Sequence, residues 1–371
     1  LGGGNAESQG TIDLLEFGDY LINDLGSSSQ WYDSKLADNG ETGADWANAI
    51  IIDSAEELVY LCKASGDDTI GKYYKVADGI KGFNLATDAL DIDGTLADNL
   101  AAVKASGKNH TGSTPGFQGH FDGNGATVYG AWTNHNQVAA YAGLFSCTQG
   151  DVTIKNINVK LSSFTAKTGA GGIVGYYKGT GNYTSNSTLT IENCSVTDSH
   201  LEITEASSNT ALGAIVGRVD VPSGYKDTND EDGDNSTTDT VYVNNKINVT
   251  NCYVNLDEDY FISASEDNDS TSDKTHHGGV VAYAGTNAVM VSKCIVIGVT
   301  PYPVTEDTTM NQIQHTGHAN NFSNVYTDQT VSKETYVGGT TANGLQDLTT
   351  VMTQLTTEQL TGVNAKANMP N

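Results

Sequence analysis

Apolar and polar positions alternate along this chain in short bursts, rarely longer than seven residues, separated by runs of Gly, Asn, Asp, Ser and Thr. A period of two over so few residues predicts β-strands with one buried face, and the intervening residues are those that make turns. Four apolar segments rich in small residues line up as one repeated unit: AGLFS (142–146), GGIVG (171–175), GAIVG (213–217) and GGVVA (278–282). After a variable gap each is followed by a second strand, TIKNINV (153–159), TIENCSV (190–196), NVTNCYV (248–254) or MVSKCIV (290–296), with a degenerate copy at NFSNVYT (321–327). The gaps are short in the first and fourth units, and in the second and third they are lengthened by polar or acidic residues. Constant strands with insertions between them predict a solenoid, because each repeat can bury its apolar face only against its neighbour.

Two columns of residues recur at fixed places in the units. Asn156, Asn193, Asn251 and Asn324, with Lys293 in the fourth unit, stand where the second strand must bend. Asn tolerates the left-handed backbone of a sharp turn and its amide can bond the next coil, so a stacked Asn ladder is expected, with a looser bend at Lys293. Cys194, Cys252 and Cys294 follow this column, at the place that Ile157 and Val325 hold in the other copies. Exchange of Cys with Ile and Val predicts an apolar interior and a ladder of reduced thiols, and five cysteines cannot all pair within the chain.

The stretch FQGHFDGNGATVYG (117–130) sets Asp122-Gly123 beside Asn124-Gly125. Locally this is a strong hairpin signal. Within a solenoid it is a corner instead, with Phe121 and Val128 pointing inward. A dinucleotide loop is excluded, because Val128 occupies the third glycine position and no helix follows.

The strand G-[IL]-[VF]-G followed by I-x-N-C-x-V resembles the GLUG-type repeat of bacterial surface proteins, and F-x-G-x-F-D-G-N-G-x-T-[IV] resembles the element that precedes such repeats. IIIDSAEELVYLC (50–62) is similar to the family's opening and TTEQLTGVNAKANM (356–369) to its closing segment. The resemblance covers roughly residues 46 to 369. It implies an all-β chain folded as a right-handed parallel β-helix of the pectate-lyase type, in secreted or wall-attached bacterial proteins. It says little of activity.

The expected organisation is an N-terminal acidic segment at 1–45, a β-helix at 46–344 with loops inserted at 176–188, 221–245 and 257–277, and a closing segment at 345–371. Ser54-Ala-Glu-Glu57 reads as a capping box, with Leu58, Leu61 and Cys62 on one apolar face and Gly66 as the stop, so 54–64 is expected to be an amphipathic helix capping the N-terminal end. Leu345, Leu348, Met352 and Leu355 suit either a helix or a final coil, and TIDLLEFGDYLINDL near the start suits either helix or strand.

Composition narrows the function. The chain has 371 residues, 18 Lys+Arg against 45 Asp+Glu, a formal net charge of −27, and a single arginine, Arg218. Nucleic acid and anionic membrane surfaces are poor partners for such a chain. No apolar run is long enough to span a bilayer. The polar lead LGGGNAESQG reads as the start of a mature, exported chain, which fits an extracellular or cell-surface protein.

Several residues are candidates for chemistry. Asp227, Asn229, Asp230, Asp232 and Asp234 offer oxygen ligands for calcium, although a solvated acidic insertion explains them better. His276, His277, His315 and His318 could meet on one face around zinc, but surface histidines on turns account for them better. In a polysaccharide lyase Arg218 would be the base. A glycoside hydrolase needs two carboxyls at matched spacing, and no such pair recurs on the repeat strands. Tyr176, Tyr177 and Tyr183 are candidates for stacking on sugars. The reading that fits best is a non-enzymatic, adhesin-like monomer that binds a glycan or a host or cell-surface protein, or acts as a rigid spacer. Calcium is the one cofactor suggested. The alternative is a lyase or hydrolase acting on an extracellular polysaccharide.

Overall fold

The computed structural model describes residues 40–85 apart from 56, 59–60 and 62–65, then 116–131, 139–179, 187–205, 210–220, 246–256, 276–284 and 289–297. It also describes the short strand segments 225–226, 240–241, 261–263, 322–323, 325–328, 336–337, 346–347 and 352–355. The described residues are mostly β-strand, and nearly every pairing between them is parallel. The exceptions are two short antiparallel pairs, Tyr225–Lys226 with Thr240–Val241 and Tyr336–Val337 with Gln346–Asp347.

Four parallel sheets share one apolar core. Sheet I runs in the order Ile50–Ile52, Tyr73–Val76, His120–Asp122, Val152–Lys155, Thr188–Glu192, Lys246–Thr250, Val289–Ser292 and Phe322–Ser323. Sheet II takes the strand that follows each sheet I strand from Tyr73–Val76 onward, in the same order, and closes with one more: Gly82–Asn84, Thr127–Tyr129, Asn158–Lys160, Ser195–Thr197, Tyr253–Asn255, Ile295–Ile297, Val325–Asp328 and Met352–Leu355. Sheet III contains Ala139–Ala142, Ser163–Gly171, His200–Ile203, Ala211–Gly213, Phe261–Ser263 and His276–Gly278. Sheet IV contains Phe145–Gln149, Val174–Lys178, Val216–Asp220 and Val281–Ala284. One passage of chain therefore visits sheets I, II, III and IV in turn before returning to sheet I one rung further on.

Alternation decides which side chains enter the core. Val152 and Ile154, Leu189 and Ile191, and Ile247 and Val249 are buried on sheet I, while Thr153, Thr190 and Asn248 between them lie on the outer face. Fully burying each aliphatic side chain contributes about 1.5–3 kcal/mol.

The corner between sheets I and II carries the Asn column. Asn156, Asn193 and Asn251 have φ of 56°, 54° and 54°. Each amide donates to the rung before it: Asn251 to the Asn193 carbonyl oxygen, Asn193 to that of Asn156 at 2.9 Å, and Asn156 to the Asp122 carboxylate at 2.8 Å. The ladder thus ends on a carboxylate, which has no N–H of its own to place. Lys293 has φ 53°, so its bend is as tight as the others and not looser; only the side-chain rung is lost. Asn324 lies outside the described residues. Cys194, Cys252 and Cys294 are free and buried directly behind this corner. Each thiol donates to the carbonyl two residues back, at 3.3 to 3.4 Å. Hydrogen bonding with the Cys194 and Cys294 thiols, and after it burial, pushes the Cys252 thiol well above its usual range.

FDGNG is a corner of the same kind. His120–Asp122 pairs with sheet I strands on either side and Thr127–Tyr129 with sheet II strands, all parallel, so the two do not form a hairpin. Phe121 and Val128 are fully buried. Asn124 and Gly125 take positive φ, and Asp122 accepts from the Asn124 amide at 2.9 Å.

Glycines explain the corner between sheets III and IV. Ile173, Ile215 and Val280 at this turn are fully buried, so the turn points into the core and the outer faces of its two strands approach each other. A Cβ on Gly171, Gly213 or Gly278 would strike the carbonyl oxygen of the residue three further on. The first unit reaches the same shape with one residue fewer. Ala142 pairs with Ala170 while Phe145 pairs with Val174, so AGLFS is in register with GGIVG only at its second half.

At the N-terminal end Ala55, Glu57, Leu58 and Leu61 are helical, and both leucines are buried in the core. The Ser54 hydroxyl accepts from the Glu57 amide at 3.3 Å, while Glu57 reaches back to the Asp53 amide at 2.7 Å, one residue earlier than a standard capping box. Gly66 does not stop a helix but opens the short helical turn Gly66–Thr69, which is held where Thr69 accepts from the Gln118 amide at 2.9 Å. Cys62 and residues 1–39 lie outside the described residues.

The insertions are narrower than their sequence suggests. Residues 176–178 belong to a sheet IV strand, and Phe261–Ser263 and His276–Gly278 are sheet III strands. In the closing segment Met352–Leu355 is a strand paired with Val325–Asp328, which decides for a coil over a helix there; Leu345 and Leu348 lie outside the described residues.

Candidate functional site

Two of the tyrosines chosen from sequence, Tyr176 and Tyr177, lie on the sheet IV strand Val174–Lys178. Tyr177 is fully buried, and its hydroxyl donates to the Gly150 carbonyl at 3.0 Å and bonds the Ser187 hydroxyl at 3.1 Å. It has no face on which a sugar can stack, which corrects its reading as a binding residue. Its phenol pKa is pushed up, first by burial. Tyr176 is 6% exposed and stacked on Tyr141, with centroids 4.3 Å apart and planes 13° apart. Tyr176 donates to Asp220 at 3.1 Å, and burial together with that carboxylate raises its pKa far above the usual phenol range. Tyr183 lies outside the described residues.

Arg218 stands in register with Tyr176 and closes this cluster. Its Nε and Nη2 donate to the two oxygens of Asp220 at 3.2 and 3.3 Å. An arginine acts as a base only after losing its proton, and a carboxylate held on the guanidinium favours the charged form. The arrangement therefore suits a fixed ion pair within one strand, tied to the neighbouring strand through Tyr176, rather than proton abstraction. Glu202 similarly accepts from Thr165 at 3.2 Å and lies 3.5 Å from His200.

A second cluster, which the sequence did not single out, stands on the outer face of sheet I. Asp45 caps the short turn Trp46–Asn48 by accepting from the Ala47 and Asn48 amides, both at 2.9 Å. That turn lays Trp46 over the sheet. The indole meets Tyr73 edge-on at 4.9 Å, His120 packs on Tyr73 at 4.4 Å, and the Lys155 ammonium sits 3.9 Å from the Trp46 ring centroid. All four residues are half-buried. Burial lowers the His120 pKa below its ordinary value, so the ring is neutral near pH 7, against an opposing pull from Asp151. Lys155 is paired with Asp122 at 3.3 Å and Lys75 with Asp78 at 2.9 Å. The available signal was spatial: Trp46, Tyr73 and His120 are far apart in sequence, and only the pairing of sheet I brings them together.

The calcium candidates Asp227, Asn229, Asp230, Asp232 and Asp234 lie outside the described residues, as do His315 and His318. His276 and His277 are placed by backbone alone, in register with Ala211 and Leu212. Among the described residues no group of three or more His, Cys, Asp or Glu is placed to hold a metal ion, and no helix is long and apolar enough to cross a membrane.

No protein-family model, curated protein or solved structure matches the chain.

Proposed function

We propose that the chain is a right-handed parallel β-helix similar to GLUG-repeat bacterial surface proteins, and that it works extracellularly without catalysis, as an adhesin-like scaffold binding a glycan or protein. The observation that carries this reading is the order of sheets I and II, in which seven successive passages of chain, from Tyr73–Val76 to Val325–Asp328, each place one strand in sheet I and the next in sheet II, paired in parallel and in the same order. Such stacking gives a stiff body on which outward side chains keep fixed spacing, the property a recognition surface needs. The right hand rests on the general rule for parallel crossovers. Calcium bound by the acidic insertion belongs to the same proposal.

The enzymatic alternative, a polysaccharide lyase or glycoside hydrolase, is less well supported because Arg218 and Asp220 are committed to each other. The test is a glycan array and a surface-protein panel run beside turnover assays on neutral and uronic polysaccharides. Binding without turnover is the expected result. Release of reducing ends or unsaturated products would overturn the non-catalytic reading.

A further inference from the structure

Sheet I presents two straight columns on its outer face. One passes through Tyr73, His120, Thr153, Thr190 and Asn248, each in register with the next. The neighbouring column passes through Lys75, Asp122, Lys155 and Glu192, so its charges alternate. The first column thus begins in an aromatic platform braced by Trp46, continues as hydroxyl and amide groups as far as Asn248, one per rung, and then reaches the exposed Met290.

We propose that this face is a binding track for an extended neutral polysaccharide lying along the stacking direction, a proposal that rests on the glycan-binding reading above. Parallel strands are spaced about 4.8 Å apart, and a pyranose in an extended chain advances by a comparable length, so successive sugars meet equivalent rungs. Trp46, Tyr73 and His120 supply the apolar surface that the CH face of a sugar requires, with polar edges for its hydroxyls. Thr153, Thr190 and Asn248 supply donors and acceptors further along.

The electrostatics select a neutral occupant. Lys75 and Lys155 each carry a carboxylate partner, and His120 is neutral. Around the aromatic platform the face therefore offers no unbalanced cation to a uronate or sulfate, the exposed Lys246 lying three rungs away beside Asn248, and the chain's net charge of −27 repels polyanions. A protein partner would be expected to need a central apolar hot spot, whereas the middle of this column is threonine.

Titration of the intact protein with cellohexaose, xylohexaose and mannohexaose, followed by calorimetry, tests the track, with polygalacturonate as the anionic comparison. At least one neutral oligosaccharide is expected to bind, and polygalacturonate is not. Trp46→Ala should weaken binding at least tenfold. Thr190→Lys, which obstructs the column two rungs from His120, should do the same while leaving the aromatic platform intact. Tyr129→Ala, on the exposed face of sheet II, should change affinity less than twofold. If Trp46→Ala disturbs folding by circular dichroism, Thr190→Lys and Asn248→Lys decide the matter. Glycan binding that survives these two lysine variants would overturn the track while leaving the scaffold reading intact. Failure of every glycan tested here and on the array, or binding of polygalacturonate alone, would overturn the track directly.

Discussion

The Asn corner and the glycine corner turn the same chain within the same passage, yet they solve the problem in opposite ways. At Asn156, Asn193 and Asn251 the turn faces outward, and what it demands is a left-handed φ. A side chain is welcome there, because it can bond the rung before it. At Gly171, Gly213 and Gly278 the turn faces inward, and a carbonyl oxygen stands where a Cβ would go. The first corner selects a residue for its side chain, the second for having none. That difference explains why Lys can replace Asn in the fourth unit, while the glycine is kept in the second, third and fourth units.

The largest predicted effect comes from filling the inward corner. Gly213→Ala should destabilise by about 3 kcal/mol, the upper range for overpacking, because the obstacle is backbone in the next strand and cannot rotate away. The comparison is Gly125→Ala. Gly125 has φ 80° and nothing within 4 Å of its Cβ position, so the loss should be only about 1–2 kcal/mol, from the left-handed backbone alone. Urea unfolding of both variants checks the pair, and equal losses would remove the steric explanation.

At the outward corner, Asn193→Ala should cost about 2 kcal/mol. It loses the residue's tolerance of positive φ and interrupts two ladder bonds, one donated to Asn156 and one accepted from Asn251. Asn193→Gly restores the backbone freedom and should recover about half of that loss. Chemical denaturation of the two variants separates backbone from ladder, and if both lose the same amount the backbone contribution is negligible.

The same contrast shows how much could be read before the fold was known. The Asn ladder and the buried Cys column were legible because their signal is local, a residue type recurring at one phase of a repeat. The corner at FDGNG followed from turn chemistry once stacking was assumed. Sheet III was missed. Its strand at Ser163–Gly171 reads SFTAKTGAG, with small and polar residues on both faces, and over Gly169–Gly171 its outer side packs against the next strand of the inward corner rather than against solvent. Alternation fails where both faces are covered. Tyr176 and Tyr177 were misjudged for the same reason: adjacency to a polar insertion suggested exposure, but pairing with Arg218 and Val219 places both within a strand. The Trp46, Tyr73 and His120 cluster had no linear signature at all.

A third corner, between sheets II and III, offers the smallest and most favourable change. Gly130, Leu161 and Asp198 occupy equivalent places there and take φ of 65°, 51° and 48°. Each amide donates to the following rung, Gly130 to Lys160, Leu161 to Thr197 and Asp198 to Asn255, so the three are held in one backbone shape. Gly has no Cβ to strain and Asp has a short polar side chain, whereas Leu161 suffers the full left-handed cost, about 1–2 kcal/mol. It gains no burial in return, since its side chain is 60% exposed. Leu161→Asn should therefore stabilise the protein by about 1 kcal/mol, read as a raised urea midpoint with an unchanged slope. A loss of stability instead would mean that the exposed leucine is covered by chain from elsewhere, and that this corner follows the packing logic of the glycine corner rather than the conformational logic of the Asn corner.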